Sequence, residues 1–334
     1  MLAIVTQPNN TTQPVAYQDW PTPVPGGGQV LVRIRCAALN RNDAMIVAER
    51  DELGGPRVLG SDGAGEIVEV GAGVTDHRIG DEVIVLPSLH WGAAEDAPGA
   101  DFEILGYPTQ GTHAEYVCLP AANVFAKPAE LDWTQAAALP LAGLTAWRAL
   151  VTRGQLRMGD RVLVTGASGG VASYLVQIAA LSGAQVWVTS SRDKAIRQAV
   201  GIGAAGGVVR AGDWPAELRE RSGGPFHLVV DSSGADWTAL LRLLRPGGRL
   251  VSLGRTVCHQ ASFDVHAVFA RQVSVLGTSM GSPREFAALL DHVRRYDWRP
   301  VVDSVFPMGD AEAAYSRLDS AERFGKVVLA APGD

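Results

Sequence analysis

Cysteine is scarce in this chain: Cys36, Cys118 and Cys258 stand far apart, and no two form a CxxC pair. That spacing argues against a disulfide framework and against a thiolate metal knuckle. Each is expected to be a buried apolar side chain, as free cysteines commonly are. No block of Lys and Arg is present either. With a net charge of −6 and a pI near 5.7, this counts against nucleic acid or anionic lipid as the main partner and leaves a small molecule as the expected one. No apolar run approaches the roughly 18 residues of a spanning helix. The opening "MLAIVTQPNN" lacks a basic start with a long apolar region, so no membrane partner and a cytoplasmic location are expected.

What the chain has in excess is glycine. Thirty-eight in 334 residues exceed the usual share of about 7%, so many tight turns are expected. The length is too great for one core at about 100–200 residues per domain, which predicts two domains and a cleft.

Short β runs, "VLVRIRCAAL", "GEIVEVGAGV" and "GDEVIVLP", bounded by Gly, Asp or Pro, predict a small β-rich domain in the first third. Residues 86–110 lack periodicity and read as a long surface lobe, with His90 and Trp91 as a packing pair. "GTHAEYVCLPAANVFAKP" returns to strand. From Trp133 the rhythm changes. "TQAAALPLAGLTAWRALVTRG" reads as helix stopped by Gly154. Then strands ("RVLVTG", "AQVWVTS", "GGVVR", "FHLVVDSSG", "RLVSLG", "RQVSVLGTSM") alternate with helices, with a Pro and Trp loop after "GGVVR". Apolar strands separated by helices predict a doubly wound parallel sheet covered on both faces. The fold class is thus α/β. A helix "SPREFAALLDHVRRY" opened by Ser282 and Pro283 follows, and the tail reads as strand, helix, strand, returning to the first domain.

In "VTGASGGVAS" a strand runs into Gly166, Gly169 and Gly170, with Ala172 in the last place of a G-x-G-x-x-G turn. Missing β-carbons let backbone approach a pyrophosphate, and the following helix aims its N–H groups at the anion. Ser168, Gly169, Gly170 and Val171 are the expected contacts; the alternative is a purely structural tight turn. About 20 residues on, NAD binding calls for an acid on the ribose 2′-hydroxyl. The chain reads "VTSSRDK" instead. Ser190 and Ser191 with Arg192 and Lys194 suit a 2′-phosphate, so NADPH is the expected cofactor, against a solvated helix start. Arg210 either adds to that pocket or faces water.

Taken together, "CAALNRND", "VLGSDGAGEIVEVGAGV", "GTHAEYV", "AAALPLAGLTAWRAL", "GDRVLVTGASGGVA", "LRPGGRLVSLG" and "FGKVVL" resemble the medium-chain dehydrogenase/reductase superfamily, particularly its zinc-free, quinone-oxidoreductase-like members. The resemblance implies a GroES-like catalytic domain, 1–122 completed by 300–334, a Rossmann domain over 123–299, and a homodimer or tetramer joined along the last Rossmann strand, "VSVLGTSM". It also implies further cofactor positions at Gly254, Thr256, Ser279, Met280 and Lys326, and Thr145 beside the nicotinamide. Zinc-dependent relatives carry a Cys in the place of Asn40, a His-Glu pair in the place of Ser61 and Asp62, and a Cys or comparable ligand near Leu141. They also carry four lobe cysteines for structural zinc. None of these ligands is present, and an amide, a hydroxyl and an alkyl group do not replace them. No metal is expected.

Without a Lewis acid an alcohol is hard to deprotonate. A quinone or an activated alkene accepts hydride directly, given orientation and hydrogen bonds to the developing negative charge. Asn40 is the expected amide donor, beside cofactor or substrate, unless it only caps a turn. Asp43 positions its loop or transfers a proton. Asp62 is either a buried turn acid or a polar group in the vacated metal pocket. His113 reads either as a strand residue or as one bordering the cleft. The resemblance implies, for several double-bond reductases, a Tyr shortly after Asp43 as proton donor or substrate contact. None stands here, so protonation falls to water, or the product is a hydroquinone that needs only solvent, which counts against an enoyl-thioester substrate. The expectation is an NADPH-dependent quinone or enone reductase. The rivals are a zinc-type alcohol dehydrogenase acting on alcohols or aldehydes, and a catalytically silent NADPH-binding protein.

Overall fold

The computed structural model describes residues 1–8, 13–50, 54–234 and 236–332. The chain is α/β and divides into two compact units, Met1–Ala142 with the chain from Gly281 on, and Gly143–Met280.

The first unit is built on the strand Gln29–Ala38. Its sequence alternates, with Val30, Val32 and Ile34 wholly buried and Arg33 and Arg35 half-buried, as the two-residue side-chain period requires. It pairs antiparallel with Asp62–Val70, Tyr116–Pro120 and Lys326–Ala330. The seven-stranded sheet runs on to Val302–Pro307 at one end and through Glu82–Val85 to Val124–Ala126 at the other. Ile4, Val32, Ile34, Leu39, Ile67, Val327 and Leu329 belong to its core. The tail does return to this unit, as the strand Val302–Pro307, the helix Ala311–Asp319 and the strand Lys326–Ala330.

Residues 123–142 and 281–299, expected with the Rossmann domain, group with the β-rich unit. Their contacts explain it. Val124–Ala126 extends the sheet, and the helix Pro283–Tyr296 sets Phe286 edge-on against Phe125, ring centroids 5.1 Å apart. Ser282, at the helix N-cap as expected, also donates to Glu95 at 2.6 Å. Within 86–110 only two-residue strands form, Ser88–Leu89 with Glu103–Ile104. Trp91 packs edge-on against Phe102, whereas His90, expected as its partner, is exposed with φ 54°. Of the cysteines, Cys36 is buried, but Cys118 is half-buried and Cys258 exposed on a loop.

The second unit is a six-stranded, all-parallel sheet. Its order is Gly206–Val209, Gln185–Ser190, Arg161–Thr165, Phe226–Asp231, Leu244–Ser252, Ser274–Gly277. In chain order that is 3-2-1-4-5-6, the Rossmann arrangement, whose switch point lies between the first and fourth strands. The stretch read as a Pro and Trp loop is in fact a helix, Trp214–Arg221. Asp213 caps it by accepting from Ala216 N, Pro215 sits in the first turn where its missing N–H does no harm, and Arg219 and Arg221 suit the negative end of the dipole.

One position tests the tightness of the first sheet. The pairing of Gln29–Ala38 with Asp62–Val70 slips between Ile34 and Cys36, and a β-carbon on Gly65 would lie 2.0 Å from the Arg33 carbonyl oxygen. Gly65→Ala is expected to lower stability by about 2–3 kcal/mol or more through overpacking. A urea unfolding midpoint equal to that of the native chain would contradict this close approach.

Candidate functional site

Three strands and a helix start meet at one buried corner of the first unit. Gln29–Ala38 leads into Asn40, which adopts extended backbone as the N-cap of the helix Arg41–Ala48. Asp43, in the first turn, reaches back so that Oδ2 accepts from Asn40 N at 2.7 Å, a capping-box contact. Asp62 opens its strand opposite Ala38. On the other side Leu39 N donates to Val327 O at 2.9 Å, which brings Lys326 beside Asn40.

The side chains close a ring. Lys326 Nζ donates to Asn40 Oδ1 at 2.6 Å and to Asp62 Oδ2 at 2.8 Å, and Asn40 Nδ2 donates to the same Asp62 Oδ2 at 2.9 Å. The other oxygen, Asp62 Oδ1, accepts from Leu141 N at 2.7 Å, at the start of the helix Pro140–Trp147, where a helix dipole favours an anion. Lys326 is 3% exposed and Asp62 0%. A buried ion pair persists only when hydrogen bonds serve its remaining polar atoms, and Asn40 and Leu141 provide them.

Beneath the ring lie groups whose protonation is set by burial. The Asp43 carboxyl is pushed up to about 7, chiefly by burial and further by Asp62, against the backbone N–H groups of Asn40 and Gly60 and the Lys326 charge. His113 is pushed down to about 4 by burial, aided by Lys326. Its Nδ1 lies 3.5 Å from the Tyr315 hydroxyl, whose own pKa is raised by burial and by Asp43. Gly60 makes room for the imidazole: its φ is +106°, and a β-carbon there would sit 2.4 Å from His113 Cδ2. The spacing of the sequence does not reveal Tyr315 in this group. It arrives from the C-terminal helix, and its one signal is an aromatic among small residues in "AEAAYSRL".

In the second unit the other expected residues, Thr145 apart, follow the carboxyl ends of the parallel strands, while Thr145 lies in the helix Pro140–Trp147. The helix Gly170–Leu181 begins at Gly169, in extended backbone with no side-chain cap, and Gly166 has φ +76°. An uncapped helix start behind a positive-φ glycine is a cradle for an anion. Ser168 and Val171 flank it, half-buried. After the next strand come Ser190, buried, Ser191 and Lys194, exposed, and Arg192, half-buried. Arg210 N donates to Ser190 O at 2.8 Å, so the chain at Arg210 runs beside this turn. Gly254 and Thr256 lie against the loop after Phe226–Asp231, with Thr256 Oγ1 3.1 Å from Ser232 O. Ser279 is exposed, Met280 buried with φ 53°, and Thr145 buried. Asp231, which the motif reading passed over, organises these loops. Its carboxylate accepts from Thr165, Ser233, Gly234 and Trp237. The visible trace of this is an acid closing the strand run "FHLVVD".

Residues 26–129 match the alcohol dehydrogenase GroES-like domain, and 170–295 match the zinc-binding dehydrogenase domain. The chain is 30% identical over 332 residues to the zinc-type alcohol dehydrogenase-like protein YogA of Leptosphaeria maculans, covering 92% of each. It is 27% identical to the chloroplastic quinone-oxidoreductase homolog of Spinacia oleracea, over 95% of this chain and 94% of that protein. A crystal structure of an NAD-dependent alcohol dehydrogenase superposes with a TM-score of 0.92 at 36% identity, covering 99% of both chains. The chain belongs to the medium-chain dehydrogenase/reductase superfamily.

The zinc in the family description calls for a test of this member's residues. A zinc ion needs lone pairs from thiolate, imidazole or carboxylate. At the Asn40 corner the carboxylate of Asp62 is met instead by donors: an ammonium, an amide N–H and a backbone N–H. Ser61 Oγ is engaged with Leu105 O at 2.7 Å. Among the described residues no group of three or more His, Cys, Asp or Glu could hold a metal ion. The donor set does not fit zinc. The glycine cradle, by contrast, fits a dinucleotide.

The two shifted groups oppose each other in the folding equilibrium. Asp43 binds its proton more tightly when folded, so its contribution is present at acid pH and fades as pH rises to about 7. His113 stays neutral when folded, so its contribution fades as pH falls from its ordinary range to about 4. Asp43→Asn is expected to leave the His113 slope unopposed, so that the urea midpoint rises more steeply between about pH 4.5 and 6.5 than in the native chain. Equal slopes would show that Asp43 is not the proton-holding group.

Proposed function

We propose that this chain is an NADPH-dependent oxidoreductase that passes hydride to a quinone or an activated alkene, without a bound metal. The observation that carries the reading is the ammonium of Lys326 held 2.6 and 2.8 Å from Asn40 and Asp62, where a metal would need those oxygens for itself. Ser168–Val171 and the start of the helix Gly170–Leu181 would hold the pyrophosphate. Ser190, Ser191, Arg192 and Lys194 would hold the 2′-phosphate, and Gly254, Thr256, Ser279, Met280 and Thr145 the nicotinamide half. NADPH supplies the hydride. Asn40 offers an amide N–H to the oxygen on which charge develops, a role that requires a fixed, dry donor. Asp62 holds Asn40 in place, and Asp43 secures the turn before the helix Arg41–Ala48. Water delivers the proton, which suits a hydroquinone or a saturated ketone as product.

Alcohol or aldehyde chemistry is the second reading, favoured by the names of the Leptosphaeria maculans relative and of the 36% identical crystal structure. A catalytically silent NADPH-binding protein is a third. The edge strand Ser274–Gly277, bonded within the chain to Leu244–Ser252 alone among the named strands, is the proposed seam of a homodimer, and the cytoplasm the proposed location.

Consumption of NADPH against quinones, enones, aldehydes and alcohols, with and without zinc, tests the reading. Turnover of quinones or enones that survives chelation is expected. One tightly held zinc per chain, with activity lost on chelation, would overturn it in favour of the second reading, and NADPH binding without turnover in favour of the third. On cofactor choice, Arg192→Ala with Lys194→Ala is expected to weaken NADPH by roughly 10-fold or more through lost charge-assisted hydrogen bonds, with NADH affinity nearly unchanged. Equal losses for both cofactors would remove the 2′-phosphate assignment.

A further inference from the structure

The Asn40 side chain sits between opposite charges, and that fixes which way round its amide lies. A carbonyl oxygen cannot face a carboxylate, nor an NH2 group an ammonium, without repulsion. With Lys326 Nζ 2.6 Å from Oδ1 and Asp62 Oδ2 2.9 Å from Nδ2, the reversed amide would place two acceptors together at Asp62 and two donors together at Lys326. Ordinarily an Asn has two nearly isosteric orientations; here one is excluded. The amide oxygen and one Nδ2 hydrogen are engaged, and Asn40 makes no other side-chain contact from Nδ2 among the described residues. One donor hydrogen is left, in a known direction, on an amide whose oxygen is held by the ammonium and whose other hydrogen is held by Asp62.

The geometry points to Lys326 as a positioning residue: it locks the Asn40 amide so that its second Nδ2 hydrogen is always presented as donor to an acceptor's carbonyl oxygen. This rests on the proposed metal-free hydride transfer and gives Lys326 a role other than binding the cofactor. The acceptor class follows from the lone donor. A single neutral N–H suits one carbonyl oxygen, neutral on arrival and gaining charge only as hydride is transferred, as in a quinone or an enone. It does not suit a carboxylate, which would bring a full second anion toward Asp62 from the start.

The pair is buried, so Lys326→Met alone would strand the Asp62 charge. The variant to use is Asp62→Asn with Lys326→Met, which removes both charges and leaves the amide free to turn. In protein labelled with 15N-asparagine and free of cofactor, the Asn40 side-chain NH2 signals, identified by their loss in Asn40→Ala, are expected as one slowly exchanging pair in the native chain. In the charge-free variant they should exchange fast or appear as two sets. This readout needs no turnover, so it stands apart from the proposed reaction, which fails separately if the native chain carries zinc or reduces neither quinones nor enones.

In steady-state assays with 1,4-naphthoquinone or 2-cyclohexenone, the charge-free variant should lose roughly 10- to 100-fold in kcat, the scale of a misplaced catalytic group. Its Kd for NADPH, from fluorescence, should stay within about twofold, since the pair acts on the amide and not on the cofactor. Adding Asn40→Ala to that variant should cost nothing beyond Asn40→Ala alone, because groups acting as one unit are not additive. Unchanged amide signals, multiplying losses, or an NADPH Kd weakened as much as kcat falls would each overturn the assignment.

Discussion

The contact between Lys326 and Asp62 is the constraint on which the rest of the site depends. It is an ion pair with almost no access to water, and such a pair persists only if every neighbouring atom is arranged for it. That requirement reaches outward. Leu141 must bring a helix start to Asp62 Oδ1, Asn40 must offer its oxygen to the ammonium, and Leu39 must hold the strand of Lys326 in register. Three chain segments, remote in sequence from Asp62 and from one another, are thereby tied to one carboxylate.

The second layer answers a different need. Asp43, His113 and Tyr315 crowd the same interior without a full set of opposite charges, so burial decides their protonation: the acid is pushed up to about 7, the phenol holds its proton, and the imidazole gives its own up. The corner thus carries one cation and one anion in its ring, and the groups packed below lean toward neutrality. A donor aimed from such a place acts in low dielectric, where a hydrogen bond to a developing charge is worth more than in water.

Much of the architecture was legible in advance. Alternating strands such as "VLVRIRCAAL", the glycine turn at Gly166–Gly170 and the apolar strands that follow carry their periods openly, and the parallel sheet and the returning tail both form. The misses have physical causes. Trp214–Arg221 looks like a loop because Pro215 and Trp214 break the pattern, yet a proline in a first helical turn loses no bond. The unit boundaries shift because Val124–Ala126 and Phe286 find their partners through pairing and ring packing that no local period encodes. In the corner, Asn40 and Asp62 stood out because they fill places where zinc-dependent relatives carry ligands, and Asp43 because it shares the turn after Asn40. That Lys326 sits between two of them, 286 positions after Asn40, is a fact of sheet register alone.

That register has a bearing on synthesis. The strand bearing Lys326 lies against Gln29–Ala38, near the other extreme of the chain, with the whole parallel sheet encoded between them. On the ribosome, then, the unit that begins first finishes last. The nascent β-rich half emerges with a gap beside its central strand and an acid at its heart still lacking a counter-ion, while the inserted half has every strand it needs before Lys326–Ala330 is made.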